Sequence, residues 1–526
     1  MGPLVLKYPV QKLILLLFLA LAVVPVLNIL FHIFFTPGVF RTTLASFNLY
    51  TWRLLGQSLL LATAVALLAT LSGTALGFFL FRSDLPGRTL LRTLLLIPLF
   101  LSPYLLAVAW KDLFFLSTGT TAFITSPAGV VLVLTTLYTP LAMLIAGTAL
   151  AAIDISYEES GWLLAGRRNT LLHITLPLIR PALFSAFVMV FIFTLSEFSV
   201  PAVLGVKVFT TEIFTRFSAF YDHTTAIGQS AVLVGICFLL LAFEARYLSE
   251  APFLSLGRRG GHAGLYRGRG LRRVGLFFVL FWLGMSVVLP FAVLTGQAFH
   301  GGMAVMARAL ALLLPAAPSS LLLAAGGGML ILITGAAAAW RRPGTPPSPL
   351  NRGFDLLLLL LFALPATVLG IALIHFYNRP SLAFLYGGPA IILVGYTARY
   401  AFLAARLTGN ALRQLPASFD EAARLAAIPP LRRLLHIHLP LLLPALAASF
   451  LLGFILSLGE LGTTLMVYPP GTTLLPVKLY TLMANAPQPL TSAMTLVVMS
   501  ITFAATTLAY LLLSRLLKRS PYAASR

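Results

Sequence analysis

The sequence predicts an all-α polytopic membrane protein of about twelve transmembrane helices, arranged as two parallel six-helix repeats. Composition, the length of the apolar runs and an internal duplication predict it. Of the 526 residues 59% are hydrophobic and 10% are charged, which excludes a set of separate water-facing domains. Runs of roughly 20 apolar residues, the length a helix needs to cross a hydrocarbon core of about 30 Å, recur from end to end. They are continuous instead of alternating, so they read as helices and not as strands of a barrel.

In order, the spans are read at 13–35, 56–81, 93–116, 128–152, 178–203, 226–248, 274–298, 319–340, 354–377, 386–407, 441–467 and 491–513. The first is long for a cleavable secretory signal and no small-residue cleavage site follows it, so it is kept as a span. Cys237, the single cysteine, falls in the sixth, and no internal disulfide can form. A net charge of +22 would suggest nucleic acid in a soluble protein. Here it follows topology instead. An N-terminus in the cytoplasm puts most of the Lys and Arg on cytoplasmic segments, so both termini are read as cytoplasmic, with lipid and not nucleic acid as the surroundings. Between the sixth and seventh spans, 249–273 contains RRGGHAGLYRGRGLRR, a composition suited to a flexible basic linker. RRPGTPPSPLNR, at 341–352, reads as a rigid cytoplasmic turn.

Each half holds four spans, a charged segment and two more spans, giving halves at 1–250 and 274–526 joined by a basic cytoplasmic linker at 251–273. The charged segments are YEESGWLLAGRRNTLLHITLPLIRPAL, from Tyr157, and FDEAARLAAIPPLRRLLHIHLPLLLPAL, from Phe419. Aligning Pro177 with Pro440 places Glu197 and Glu460 each 20 residues further on, in LSEF and LGEL. An even number of spans per half makes the repeats parallel, related by an axis along the membrane normal.

Acids in the first turn, Glu158 and Glu159 in one copy and Asp420 and Glu421 in the other, complement a helix dipole. In the second copy Pro429 and Pro430 interrupt the helix, a short piece carries Arg432 and Arg433, and Leu-Pro is read as opening the next span. Such an element suits docking into a partner's groove; an interfacial helix lying on lipid is the alternative. Two similarly placed copies favour a pair of equivalent partners. His436 and His438, two apart, point to different sides of a helix and are read as docking surface or its flank instead of metal ligands.

The second segment resembles the signature of binding-protein-dependent ABC importer permeases: Glu-Ala-Ala, three residues, Gly, nine residues, Ile-x-Leu-Pro. Glu421, Ala422, Ala423, Ile437, Leu439 and Pro440 are in register, with Ala427 where the family has glycine. The first copy supplies Glu159, Ile174, Leu176 and Pro177, has Ser160 and Gly161 after the acid, and is one residue shorter, with Gly166 as a displaced turn glycine. The resemblance covers essentially the whole chain as two fused halves. It implies the type I ABC importer permease fold and coupling segments at 154–177 and 416–440 that sit in clefts of two ABC ATPase subunits. It also implies a periplasmic substrate-binding protein, a bacterial inner-membrane location, and alternating access driven by ATP on the partners. The chain has no Gly-Lys dipeptide and hence no GxxxxGK[ST] phosphate loop, so it is read as a permease subunit with no cofactor of its own and not as an enzyme.

Acids inside spans are costly and mark function, so Glu197 and Glu460 are candidates for the substrate pathway. At about 1.5 Å per residue they stand roughly 30 Å from the Leu-Pro, toward the outer mouth. A purely structural role, accepting hydrogen bonds from a neighbouring helix, competes. With no Lys or Arg read at the middle of a span, the pair favours a cation, and thiamine, a polyamine and ferric iron all qualify. SLGELGTTLMVYPPGTTLLPVKLYTLM, from Ser457, and TLSEFSVPAVLGVKVFTTEIF, from Thr194, are similar to regions of ferric iron permeases, which implies ferric iron as cargo. The loops at 205–224 and 468–490 are then the candidate contacts for the binding protein. An ion-driven secondary transporter is the rival from another class.

Overall fold

The computed structural model describes residues 9–35, 41, 47–247, 266, 268–340, 349–415 and 417–518. Most of the linker read at 249–273, the turn at 341–348 and the side chain of Asp420 lie outside the described residues. Among the described residues the secondary structure is helical, apart from one isolated parallel bridge between Ser83 and Tyr266. Ten helices among the described residues are long and apolar enough to cross a membrane: Val10–Ile29, Leu49–Arg82, Pro127–Ala152, Gly166–Ser196, His223–Phe243, Arg269–His300, Gly302–Ala339, Ala390–Gln414, Leu434–Gly459 and Gln488–Arg515. The third and ninth spans are bent pairs, Arg88–Phe100 with Pro103–Thr118 at 99° and Gly353–Ala363 with Ala366–Tyr377 at 106°.

Both bends sit at a proline that the sequence reading passed through as straight helix. Ser102, before Pro103, is extended with ψ 134°, and Pro365 is extended with ψ 138°. A residue preceding proline is pushed out of the helical region, and proline offers no N–H to continue the ladder. The fifth and eleventh spans also end sooner than expected. Their helices stop at Ser196 and Gly459, Glu197 and Glu460 are extended, and short helices Ser199–Leu204 and Gly462–Val467 follow.

Among the described residues four π turns interrupt the helices, Leu19–Val23, Leu171–Thr175, Gly284–Val288 and Leu434–His438. Each ends two residues before a proline, respectively Pro25, Pro177, Pro290 and Pro440. A proline inside a helix pushes its ring against the carbonyl four residues back, and widening the turn by one residue relieves that contact.

Contacts divide the chain into two compact units. One comprises Met1–Phe40, Arg308–Asn485 and Val497–Arg526, the other Arg41–Ala307 and Ala486–Leu496. Their boundaries differ from the sequence halves at 1–250 and 274–526, because the leading span of each half belongs to the other half's unit. In the first unit Gln11 Nε2 donates to the Ala337 carbonyl at 2.8 Å, Tyr377 Oη donates to the Leu21 carbonyl at 2.9 Å, and the rings of Phe18 and Phe354 lie 6.0 Å apart. In the second, Val279 and Leu283 of the seventh span join Leu76, Leu80, Leu95 and Met143 in one buried cluster.

Small residues set the closest approaches in both units. A Cβ on Gly73 would lie 2.6 Å from Met143 N, and one on Gly335 would lie 2.6 Å from Ala405 N. Backbone meets backbone there, as is common where helices pack without a hydrophobic drive between them.

Candidate functional site

The first charged segment is one helix, Ile155–Thr170, kinked at Gly166 (φ 77°, ψ 165°). Asp154 caps it, Oδ1 accepting from Ser156 N at 3.0 Å and Ser156 Oγ at 2.9 Å, and these bonds hold its carboxyl below the usual range. Its two acids separate: Glu159 is exposed, whereas Glu158 is fully buried. The Glu158 carboxylate accepts from Arg82 Nη2 at 2.7 Å, Thr175 Oγ1 at 2.8 Å and Tyr266 Oη at 3.4 Å. Gly161 faces the π turn so closely that a Cβ would meet Thr170 Oγ1 at 2.7 Å and Ile174 Cδ1 at 2.8 Å. On the opposite side Leu163 and Leu164 are each 89% exposed.

The second segment repeats this pattern. Its helix, Ala417–Leu425, buries Ala423 and exposes Glu421 and Ala422, and Leu425 is 91% exposed. The chain then turns through Ala427, whose φ of 52° is left-handed. Ala427 N donates to the Arg424 carbonyl at 2.9 Å and Ile428 N to the Ala423 carbonyl at 3.0 Å, closing the helix end as a terminal glycine normally does. The two copies thus share an exposed acid (Glu159, Glu421), a buried small residue two positions on (Gly161, Ala423), bare leucines, and a left-handed turn at Gly166 or Ala427.

Beyond the turn, Ile174, Leu176 and Pro177, like Ile437 and Pro440, are half-buried, and Leu439 is exposed. Here the expected start of the span is corrected. The helices Gly166–Ser196 and Leu434–Gly459 run continuously through Leu-Pro, the π turn making room for the proline. His436 is exposed, Nδ1 lying 3.1 Å from the Arg432 carbonyl, and His173 stands in the same relation to Asn169. His438, by contrast, is buried edge-on against Trp340 with ring centres 5.5 Å apart, so it is no part of a docking surface.

Glu197 and Glu460 sit at the breaks where the fifth and eleventh spans stop. Glu197 Oε1 accepts from Ser199 N at 2.8 Å and from Ser199 Oγ, and Tyr138 Oη reaches Oε2 at 3.3 Å. Glu460 Oε1 accepts from Thr463 N at 2.8 Å and Oε2 from Tyr400 Oη. Each carboxylate therefore caps the short helix after it and takes a tyrosine hydroxyl from the preceding long span. The caps lie beside the bends: Thr463 Oγ1 donates to the Ala366 carbonyl at 3.3 Å, and Ser199–Leu204 packs on Pro103–Thr118.

The charge argument drawn from these acids is overturned. Arg399 lies inside the tenth span, 17% exposed, with Nη1 3.5 Å from Glu460 Oε1, so the second acid is paired with a cation and the two do not form a bare dicarboxylate. A third intramembrane acid was also missed. Asp112 is buried in Pro103–Thr118 and accepts from Gln488 Nε2 at 3.0 Å and from Ser492 Oγ. Both Arg399 and Asp112 were visible as charges within predicted spans. Arg82 and Tyr266 carried no such signal, since each lies at a span end or in a linker where basic and aromatic residues are common.

Comparison with known proteins fits this geometry. Residues 331–518 match the model of the binding-protein-dependent transport system inner membrane component. An Fe(3+)-transport system permease protein of Haemophilus influenzae is 24% identical over 82% of this chain and 84% of its own length. A ferric transport system permease protein of Actinobacillus pleuropneumoniae is 25% identical over 77% of this chain and 63% of its own. A putative 2-aminoethylphosphonate transport system permease protein of Salmonella typhimurium is 32% identical, over 27% of this chain and 52% of its own. The chain is thus an all-α polytopic protein with duplicated charged segments, whose residues 331–518 match the binding-protein-dependent transport component and most of whose length is similar to ferric transport permeases.

Proposed function

We propose that this chain carries ferric iron, delivered by a periplasmic binding protein, across a bacterial inner membrane, driven by two separate ATPase subunits docked on the two charged segments. The observation that carries the docking is the pair of capped helices bearing nearly bare leucines, Leu163 and Leu164 on one and Leu425 on the other. Large apolar side chains held clear of the protein on a short charged helix mark a surface for a protein groove. Beyond the left-handed turn at Gly166 or Ala427, each segment joins its span through a π turn, so displacement at the segment reaches the membrane through that short turn. ATP binding on the partners would draw the segments together and hydrolysis release them, switching the pathway between outward and inward opening. Both termini and both segments face the cytoplasm in this reading, as the distribution of Lys and Arg favours.

Iron as cargo rests on the similarity to ferric permeases and not on the acids, given the Arg399–Glu460 pair. The same pair favours a second reading, an anionic cargo such as a phosphonate or a chelate, for which Arg399 supplies a charge-assisted donor. Reconstitution into liposomes with candidate ATPase and binding proteins tests all of this. Uptake of radiolabelled ferric iron should require every component and ATP, and the iron-loaded binding protein should stimulate hydrolysis. Stimulation by a phosphonate-loaded binding protein instead would select the second cargo. Uptake driven by an ion gradient with the chain alone would sink the ABC reading.

A further inference from the structure

Tyr266 belongs by sequence to the basic linker between the sixth and seventh spans, yet it is buried against the first charged segment. Its backbone N–H donates to the Arg82 carbonyl at 2.7 Å, and it bridges Ser83 at the end of the second span. Its ring meets Trp162 edge-on at 5.2 Å and Phe78 edge-on at 5.2 Å. Its hydroxyl donates to Glu158 Oε1 at 3.4 Å and accepts from Trp162 Nε1 at 3.4 Å. Phe78, Arg82 and Ser83 lie on the second span, and Glu158 and Trp162 on the charged helix. One linker residue therefore touches both elements and shields from water an ion pair whose two side chains have no exposed surface.

The shielding has a physical consequence. A buried guanidinium and carboxylate hold together only while water is excluded and their hydrogen bonds are made, so opening one side loosens the helix that carries the acid. A Glu158 held this way cannot serve as a contact for a docked partner, which leaves Glu159 as the exposed acid of that segment.

We infer that Tyr266 is a positioning residue for coupling, a strap by which the linker fixes the first charged segment to the inner end of the second span. The inference rests on the reading of that segment as an ATPase contact; the strap itself is a property of this chain alone. In transport, the strap keeps the first segment moving as one body with the second span.

Hydrogen–deuterium exchange on the full chain in nanodiscs tests the strap. In Tyr266→Ala, amides at 155–165 should exchange about tenfold faster, while those of Ala417–Leu425 stay unchanged. Tyr266→Phe, which keeps the ring contacts, should shift them by about twofold or less. If Tyr266→Ala does not yield folded protein, Tyr266→Leu carries the same expectation at a smaller size. Unchanged exchange at 155–165 would overturn the strap whatever the chain transports. In the assembled transporter, cargo moved per ATP hydrolysed should fall about fivefold in Tyr266→Ala. Faster exchange with an unaltered ratio would overturn the coupling role, and failure of the unmodified chain to bind any ATPase would sink the docking reading while leaving the strap standing.

Discussion

Ala427 holds a left-handed conformation that costs an L-residue roughly 1 kcal/mol and glycine almost nothing. Ala427→Gly should therefore stabilise the end of Ala417–Leu425 by roughly 0.5–1 kcal/mol after the added freedom of the unfolded chain is counted. The gain would be read as slower amide exchange in that helix, and no change would show that the turn is not strained. Glu197 and Glu460 should respond unequally to neutralisation. Glu197→Gln keeps an acceptor for Ser199 and Tyr138, whereas Glu460→Gln also removes the partner carboxylate of Arg399. We expect the second to cost about 1–3 kcal/mol more, because a half-buried guanidinium loses its counter-charge. Thermal unfolding of both variants in detergent measures the gap, and equal losses would show that Arg399 contributes nothing at Glu460.

Paired prolines and π turns recur at the element scale. Pro177 and Pro440 each follow a π turn that joins a charged segment to its span, and Pro25 and Pro290 do the same within the leading spans. Without the proline the ladder can close as regular α-helix, which removes one residue from the turn and rotates everything before it by about 100°. Pro440→Ala should thus turn Glu421 and Leu425 away from a docked subunit and lower ATPase co-purification about tenfold, with thermal stability of the chain unchanged or raised. Normal co-purification would show that the π turn does not set the direction of the segment. At Pro25 the carbonyl released four residues back, that of Leu21, is taken up by the Tyr377 hydroxyl. Tyr377→Phe leaves that carbonyl without its partner and should cost about 1–2 kcal/mol, seen as a lowered unfolding midpoint.

At the scale of the molecule, the compact units exchange their leading spans, so removing residues 1–35 should injure the second half of the sequence and not the half it precedes. Amides of Gly302–Ala339 and Ala366–Tyr377, which hold the partners of Gln11 and Leu21, should lose protection, while Leu49–Arg82 and Pro127–Ala152 keep theirs. Losses confined to the first half would contradict the exchange. The spans, their number and the duplicated segments were legible in the sequence, because each depends on local composition and on repeats in register along the chain. Even the displaced turn glycine, Gly166, was placed by the resemblance of the segment to the permease signature. Which acid would be buried, that Arg399 would meet Glu460, that Tyr266 would close over Glu158 and that a leading span would pack away from its own half depended on residues far apart in sequence. The hydrophobic pattern determines that a helix enters the membrane. Only packing of side chains from distant segments decides its neighbours, where it breaks and which of its charges find a partner.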